Sequence, residues 1–453
     1  MIRTPHLSGK KVSVVGLGKS GTATANALSA SGAIVSVWDD AEAARASVQG
    51  LTVHNPVDDI QSFDLVVWSP GIPHTHPKPH PIAVAARQAQ IPVVCDVDLL
   101  AQAKPDNRVL AITGTNGKST TTTLLAHVLS TSGKQVAAGG NLGTAALAMP
   151  DLGSEGRYVL ELSSYQLELC PSLKIHAGVL LNITPDHLGR HGGMEGYIAA
   201  KRSLFDRLTP NGTAVVGIDD DQCRTIADQL QADGINVVRI SAQQRLQNGI
   251  SVPDGLLLEN GEPVLDLTKV ARLPGRHNWQ NAAAAFALAR ADGIPSAAAA
   301  SAIATYPGLQ HRQELIADKN GILFINDSKA TNADAVAKAL ACYDRIFWIL
   351  GGQAKEGGIT SLTSFFPRIA HAYLIGEAAN DFAQTLGTAV VHTHCGTLEN
   401  AVTQAAQAAQ AAGPGSVVLL SPACASWDQF TSFEHRGDVF RSLVQDLDQQ
   451  GAA

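Results

Sequence analysis

The sequence predicts an α/β chain of three consecutive domains, each built on a mostly parallel sheet. Three observations predict it. Apolar runs rich in Val and Ile alternate with Ala-rich segments of helical period along nearly the whole chain, the pattern of parallel strands covered by helices. Two of those runs lead into glycine-rich turns, VVGLGKSG from Val14 and ITGTNGKST from Ile112. The length of 453 residues exceeds one ordinary core and suits about three domains of about 150 residues.

Taken in order, KVSVVGL, AIVSVW and DLVVWSP read as strands of a first sheet. RVLAIT, RYVLELS, GVLLNIT and TAVVGI read as strands of a second, and ILFIND, RIFWILG, AYLIG and SVVLLSP as strands of a third. The stretches AAAAFALARADG, AAAASAIATY and AVTQAAQAAQAAG look like low complexity, but alanine is the best helix former and each ends near Gly or Pro, so they are expected to be packed helices. Two seams divide the chain. The polar, Pro-containing connector AQAKPDN precedes RVLAIT, and TYPGLQ precedes another fresh start. The expected domains are 1–104, 105–308 and 309–453.

Composition excludes several function classes. Hydrophobic residues make up 45% and charged residues 16% of the chain, so it reads as globular. A net charge of −7 leaves no general basic footprint, and no nucleic-acid partner is expected. The six cysteines are scattered without paired spacing, as reduced thiols of a cytosolic protein would be. The start runs directly into a strand, and no long uninterrupted apolar run suggests a membrane span. A cytoplasmic protein without stable membrane association is expected.

The first glycine turn has the form GxGxxG, with Gly16, Gly18 and Gly21 in register. Gly16 allows the tight turn, Gly18 leaves room for a pyrophosphate, and Gly21 lets the following helix pack closely and present its N-terminal amides. Asp39 and Asp40 end the next strand, where a ribose-binding carboxylate would sit. NAD and another diphosphate both remain open on this pattern alone.

The second turn is more specific. GKST sits where a strand gives way to a helix, as a P-loop requires, although the generic spacing would put the first glycine at Ile112 rather than at Gly114. Lys118 would neutralise β- and γ-phosphate oxygens, the Ser119 hydroxyl would bind Mg²⁺, and backbone amides across Gly114, Thr115, Asn116, Gly117 and Thr120 would hold the rest. ATP is therefore the expected nucleotide. Glu161 and His187 follow on strand ends as candidate ligands for Mg²⁺ or Mn²⁺ beside phosphate. The clusters HTHPKPH (His74, His76, His80) and HTHC (His392, His394, Cys395) are expected to be solvated rather than metal-binding.

GTNGKST, ELSSYQLE, NITPDHLGRH, YIAAK, GRHNWQNAAAA, GLQHRQE, NDSKATN, LGG before Lys355, and SPACASWDQFTSFEHRG occur in the order typical of the Mur ligases, and the chain resembles that family over essentially its whole length. DNPR, typical of the relative that adds the third peptide residue, is absent. The resemblance implies an N-terminal Rossmann-like domain for a UDP sugar, a central P-loop ATPase-like domain and a C-terminal Rossmann-like domain that binds an amino acid. It implies substrates UDP-N-acetylmuramoyl-L-alanine and D-glutamate, joined through an acyl phosphate in peptidoglycan precursor synthesis, by a monomer whose domains close around ATP.

Residue by residue, the resemblance implies that Gly18, Lys19, Ser20, Asp39, Ser69, Asn141 and His187 meet the UDP sugar. Asp40 and Ala41 depart from the family pattern there. Lys118 and Ser119 would hold phosphates and one Mg²⁺ with Glu161, His187 a second, and Lys201 would bridge both as a carbamate. Read alone, Lys201 would be a solvated helix residue. Asn278 and Asn281 would face the adenine, and Arg312 and Asp327 the phosphates and ribose, with Gln310 replacing the usual hinge Pro. Lys329, Thr331, Lys355, Ser426 and Phe433 would form the D-glutamate site. The rival within this chemistry is a folylpolyglutamate synthetase, disfavoured by the extra diphosphate loop. Outside it stand an NAD-dependent oxidoreductase and an ATP-gated binding protein.

Overall fold

The computed structural model describes residues 1–141, 143–354 and 357–450. Among them the chain forms three sheets, each starting afresh in sequence.

The first sheet contains β1 (Lys11–Val15), β2 (Ile34–Trp38), β3 (Thr52–Val53), β4 (Leu65–Trp68) and β5 (Val93–Val94), in the order β3-β2-β1-β4-β5. Every pairing is parallel. Val12 to Val15 and all of β4 are buried, which is why these runs are apolar without alternation. The strand order reverses between β1 and β4. Ligands of open α/β sheets bind outside the strand ends at such a reversal, and here the loop from Gly16 and the loop from Ser69 leave side by side.

The second sheet contains β6 (Arg108–Thr113), β7 (Val136–Gly140), β8 (Arg157–Glu161), β9 (Ile175–Leu180), β10 (Leu208–Gly217), β11 (Asn236–Ser241), β12 (Ile250–Ser251), β13 (Leu256–Glu259) and β14 (Glu262–Asp266). Its order is β14-β13-β12-β11-β10-β9-β6-β8-β7, parallel from β7 to β12 and antiparallel in the β12-β13-β14 meander. β6 lies between β8 and β9, a second reversal, and runs into the helix Lys118–Thr131. The alanines of the helix Arg276–Ala291 are buried from Ala282 to Ala289. Their small side chains let this helix pack closely on Lys118–Thr131 and hold the second glycine turn from behind.

The third sheet contains β15 (Glu314–Lys319), β16 (Ile322–Asn326), β17 (Ile346–Gly351), β18 (Ile369–Ile375), β19 (His392–Gly396) and β20 (Val417–Leu420), in the order β15-β16-β20-β17-β18-β19. Only the β15–β16 pair is antiparallel among these. Apolar clusters cover both its faces.

The chain divides into two compact units. One comprises Met1–Val270 with Arg276–Tyr306 and holds the first two sheets; the other comprises Ala271–Gly275 with Pro307–Ala453 and holds the third. No helix of the described residues is long and apolar enough to cross a membrane, and all six cysteines are free.

Candidate active site

The first glycine loop is built by close approach. An added Cβ at Gly21 would lie 1.8 Å from the Gly16 carbonyl oxygen, so only glycine lets the helix Lys19–Ser29 begin there. At Gly18 a Cβ would meet nothing within 4 Å, leaving open space beside the first turn, where Lys19 is exposed. Two residues expected to touch the ligand brace the loop instead. The Asp39 carboxylate accepts from the Leu17 amide (2.7 Å) and the Ala41 amide (2.9 Å), and the Ser69 hydroxyl donates to the Gly16 carbonyl (3.1 Å). Ser20 lies in the first turn of the helix. Asp40 accepts from Trp38 Nε1 and pairs with His80 Nε2 at 3.0 Å, which holds its carboxyl below the usual range.

The second loop has Gly117 at φ +86°, against which Asn281 packs so closely that a Cβ would fall 2.2 Å from its Oδ1. The Thr115 and Asn116 amides donate to the Asn182 backbone oxygen and Oδ1, both at 2.9 Å, and the Thr115 hydroxyl bonds Tyr197 (3.0 Å). Asn182 and Tyr197 are scaffold residues that the sequence reading missed, although both stand inside its quoted motifs. Lys118 Nζ donates to the carbonyls of Gly114 and Thr115, 2.9 Å each. Ser119 and Thr120 are buried in the first helical turn, whose amides have no intrahelical acceptor and so offer an anion site. Asn281 is 2% exposed and donates to Asn278 Oδ1 at 3.2 Å, with its own Oδ1 against the second glycine loop.

Glu161 ends β8 in register with Ile112, next to this loop. It is 2% exposed. Oε1 accepts from Asn141 Nδ2 at 2.8 Å, while Oε2 is buried without a hydrogen-bond partner. A buried carboxylate oxygen left over in this way is costly unless a cation takes it, and hard oxygen donors suit Mg²⁺. Asn141, expected at the sugar, thus also orients Glu161.

Lys201 corrects the solvated reading of its helix. It lies on Met194–Arg202, is 2% exposed, and donates from Nζ to the Gly114 carbonyl at 2.9 Å, over the Tyr197 ring at 4.6 Å. Burial first, and the charge of Lys118 second, bring its pKa down to about 7. Two lysine side chains therefore converge on one carbonyl oxygen. His187 is a correction as well. It lies in the loop beyond β9, not at the strand end, with φ +52°, its ring half-exposed, 5.3 Å from the Tyr165 ring and 3.4 Å from Asp186. Among the described residues no group of three or more His, Cys, Asp or Glu side chains could hold a metal alone. A metal here needs donors of other kinds, such as the Ser119 hydroxyl, a modified lysine and phosphate oxygens.

Around Tyr165 the structure assembles a network absent from the sequence reading. His191 bonds Glu168 through Nδ1 (2.8 Å) and Ser164 through Nε2 (2.9 Å). Glu168 also pairs with His74 at 3.2 Å. His74 is therefore not solvated as expected; burial lowers its pKa despite the carboxylate. Arg190 covers the Tyr165 ring at 4.4 Å and donates to the carbonyls of Pro70, Gly71 and Ile72, which ties the Ser69 loop to the middle of the chain. His80 is likewise structural, accepting from the Ile82 amide as a helix cap. His392 and His394 stand on β19 with rings 6.2 Å apart.

In the second unit, Leu309 and Arg312 pair across a tight turn containing His311 at φ +60°. Arg312 Nε is buried without a partner. Asp327 is 4% exposed, with its oxygens accepting from the Gln313 amide (3.1 Å) and the Ser421 hydroxyl (2.7 Å); burial pushes its pKa up to about 7. In this arrangement it braces the Arg312 turn. Lys329 lies 5.5 Å from the Phe433 ring, and the Thr331 amide donates to the Lys329 carbonyl at 2.9 Å. Ser426 is 2% exposed and its carbonyl accepts from Phe430. Lys355 lies outside the described residues.

Comparison with known proteins adds three family matches: a Mur ligase MurD-like N-terminal domain over residues 10–95, a Mur ligase middle domain over 112–289, and a Mur ligase glutamate ligase domain over 311–424. The chain is 64% identical to the UDP-N-acetylmuramoylalanine–D-glutamate ligase of Paramagnetospirillum magneticum, covering 100% of both chains. It is 54% identical to the ligase of that name from Rhodospirillum rubrum, over 98% of this chain and 96% of the relative. Among solved structures, UDP-N-acetylmuramate-alanine ligase from Thermotoga maritima aligns with TM-score 0.61 at 18% identity, over 96% of this chain and 99% of that one. MurF from Acinetobacter baumannii aligns at 0.60 and 20%, over 98% and 93%. These two likenesses concern the fold.

Proposed function

The chain belongs to the Mur ligase family, and on that premise we propose that it joins D-glutamate to UDP-N-acetylmuramoyl-L-alanine at the expense of ATP. The observation that carries the phosphoryl-transfer half is the meeting of Lys118 and Lys201 on the Gly114 carbonyl, beside the unmatched oxygen of Glu161. The amino-acid half is supported by the 64% identical relative, a UDP-N-acetylmuramoylalanine–D-glutamate ligase.

A carboxylate is a poor acyl donor. The γ-phosphoryl of ATP passes to the free carboxylate of the L-alanine stem, giving an acyl phosphate and ADP. The D-glutamate amine then attacks the acyl carbon, the amide forms, and inorganic phosphate leaves through a tetrahedral intermediate. Such transfer depends on positioning and charge neutralisation. Lys118 supplies charge at the phosphates, the amides of the Gly114–Thr120 turn orient them, and Arg312 adds a second cation. Ser119, Glu161, His187 and Lys201 as a carbamate would hold Mg²⁺. Bound there, Mg²⁺ shields the negative oxygens of nucleotide and acyl acceptor. Burial of Lys201 beside the charge of Lys118 supports the carbamate, because both favour the unprotonated amine to which carbon dioxide adds.

Gly18, Lys19 and Ser20 bind the diphosphate, with Asp39 and Ser69 fixing the loop that does so. Asn141 and His187 reach the sugar-peptide end, and Asn278 with Asn281 supports the nucleotide loop. Lys329, Thr331, Lys355, Ser426 and Phe433 bind D-glutamate, whose two carboxylates need two sets of donors. The reading includes domains at 1–104, 105–308 and 309–453, a monomer, and a cytoplasmic place in peptidoglycan precursor synthesis. An amino-acid panel with UDP-N-acetylmuramoyl-L-alanine, ATP and Mg²⁺, read as released phosphate and new amide, tests it. D-Glutamate alone should give both; ADP formation without any amide would sink the proposal.

A further inference from the structure

Arg436 is 0% exposed, in the helix Phe433–Gln450. Its hydrogen bonds go to uncharged groups. Nε donates to the Ser328 hydroxyl (3.0 Å), one terminal nitrogen to the carbonyls of Ser328 (2.9 Å) and Cys424 (3.1 Å), and the other to the Ala425 carbonyl (3.4 Å). The Ser328 hydroxyl in turn donates to the Phe433 carbonyl at 2.8 Å. A Cβ added at Gly352, in the loop before Lys355, would lie 3.3 Å from the guanidinium.

Each of these contacts falls one or a few residues from a residue of the amino-acid site. Ser328 precedes Lys329 and Thr331, Ala425 precedes Ser426, and Phe433 opens the helix that carries Arg436. Burying a guanidinium without a bonded carboxylate costs stability, and an apolar side chain of similar volume would serve packing alone as well or better. Its pKa falls with burial to about 10, so the charge is kept at neutral pH. What arginine adds is a rigid fork of donors able to fix several carbonyls at once.

Building on the D-glutamate reading above, we propose that Arg436 is the positioning residue of the amino-acid site. One guanidinium sets the backbone of the three segments bearing Lys329, Thr331, Ser426 and Phe433, with the Asp428 carboxylate close enough to favour its charge. Lysine cannot replace it, since an ammonium carries three donors and no planar fork.

Arg436→Lys and Arg436→Met, in the full chain, test this by steady-state kinetics. KM for D-glutamate should rise about ten-fold or more in Arg436→Lys, with KM for ATP and for UDP-N-acetylmuramoyl-L-alanine within about two-fold of wild type. Millimolar guanidinium should restore part of the loss in Arg436→Met. If Arg436→Met does not fold, the Arg436→Lys ratio decides. An unchanged KM for D-glutamate, or a parallel rise in all three constants, overturns the proposal. Should wild type prefer another amino acid, the D-glutamate reading fails while the KM for that amino acid still tests the positioning role.

Discussion

Lys201 shows what a single residue's surroundings can hide from the sequence. Its neighbours in the fold, Gly114 and Tyr197, are respectively 87 residues away and one helical turn back, so helical spacing alone put it in solvent. Lys118 was legible, because GKST fixes its own local geometry. Lys118→Ala should lower phosphate release about 10³-fold or more, while affinity for the UDP sugar by calorimetry stays within about three-fold. Loss of both together would contradict separate loops. Lys201→Ala should be inactive and recover in part with added acetate or formate, which replace the missing carboxylate; no recovery argues against a carbamate. Asp327 gives a pH test. Its folded pKa, about 7, lies above the ordinary value of 3.8, so the native chain binds that proton more tightly. The contribution is complete below 3.8 and is lost as pH rises through about 7. Asp327→Asn has no such proton, and its stability relative to wild type should improve by about 3 kcal/mol between pH 5 and 8 in thermal melts; a gap that does not change with pH would refute this.

At the scale of elements, the long buried strands were readable because parallel strands covered on both faces are continuously apolar. β3, β5 and β12 were missed because two residues carry no period. β14, β15 and β19 were missed because they run at a sheet edge and carry polar residues such as His392 and His394, and β13 because its four residues, Leu256–Glu259, show no alternation. The junction around Arg190 was invisible for another reason: it joins a loop near residue 70 to a turn near 190 through backbone carbonyls, which leave no trace in side-chain identity. Arg190→Ala removes these charge-assisted bonds and frees the Ser69 loop. KM for the UDP sugar should rise about ten-fold or more, with KM for ATP unchanged. A selective loss in ATP instead would assign Arg190 elsewhere.

For the molecule as a whole, the three sheets follow one another in sequence, yet the compact units do not. Residues 271–275 belong to the second unit, where Arg272 donates to the Leu315 carbonyl and Cys342 lies against the Pro274 carbonyl, although 276–306 returns to the first. Both Pro307-Gly308 and Pro274-Gly275 carry the same turn signal, but only the first was read as a seam, because a Pro-Gly pair marks a turn and does not say that the chain changes unit there. That excursion sets an order on the ribosome. The stretch 271–275 emerges long before its partners near 315 and 342, while the helices at 276–304 can already close the first unit. With about 150 residues still to be translated at ~5–20 per second, the short stretch waits on the order of ten seconds for the surface it must join. Nascent chains halted near residue 340, once the helices at 276–304 have cleared the ribosome, should thus carry a finished first unit with 271–275 as a loose internal loop.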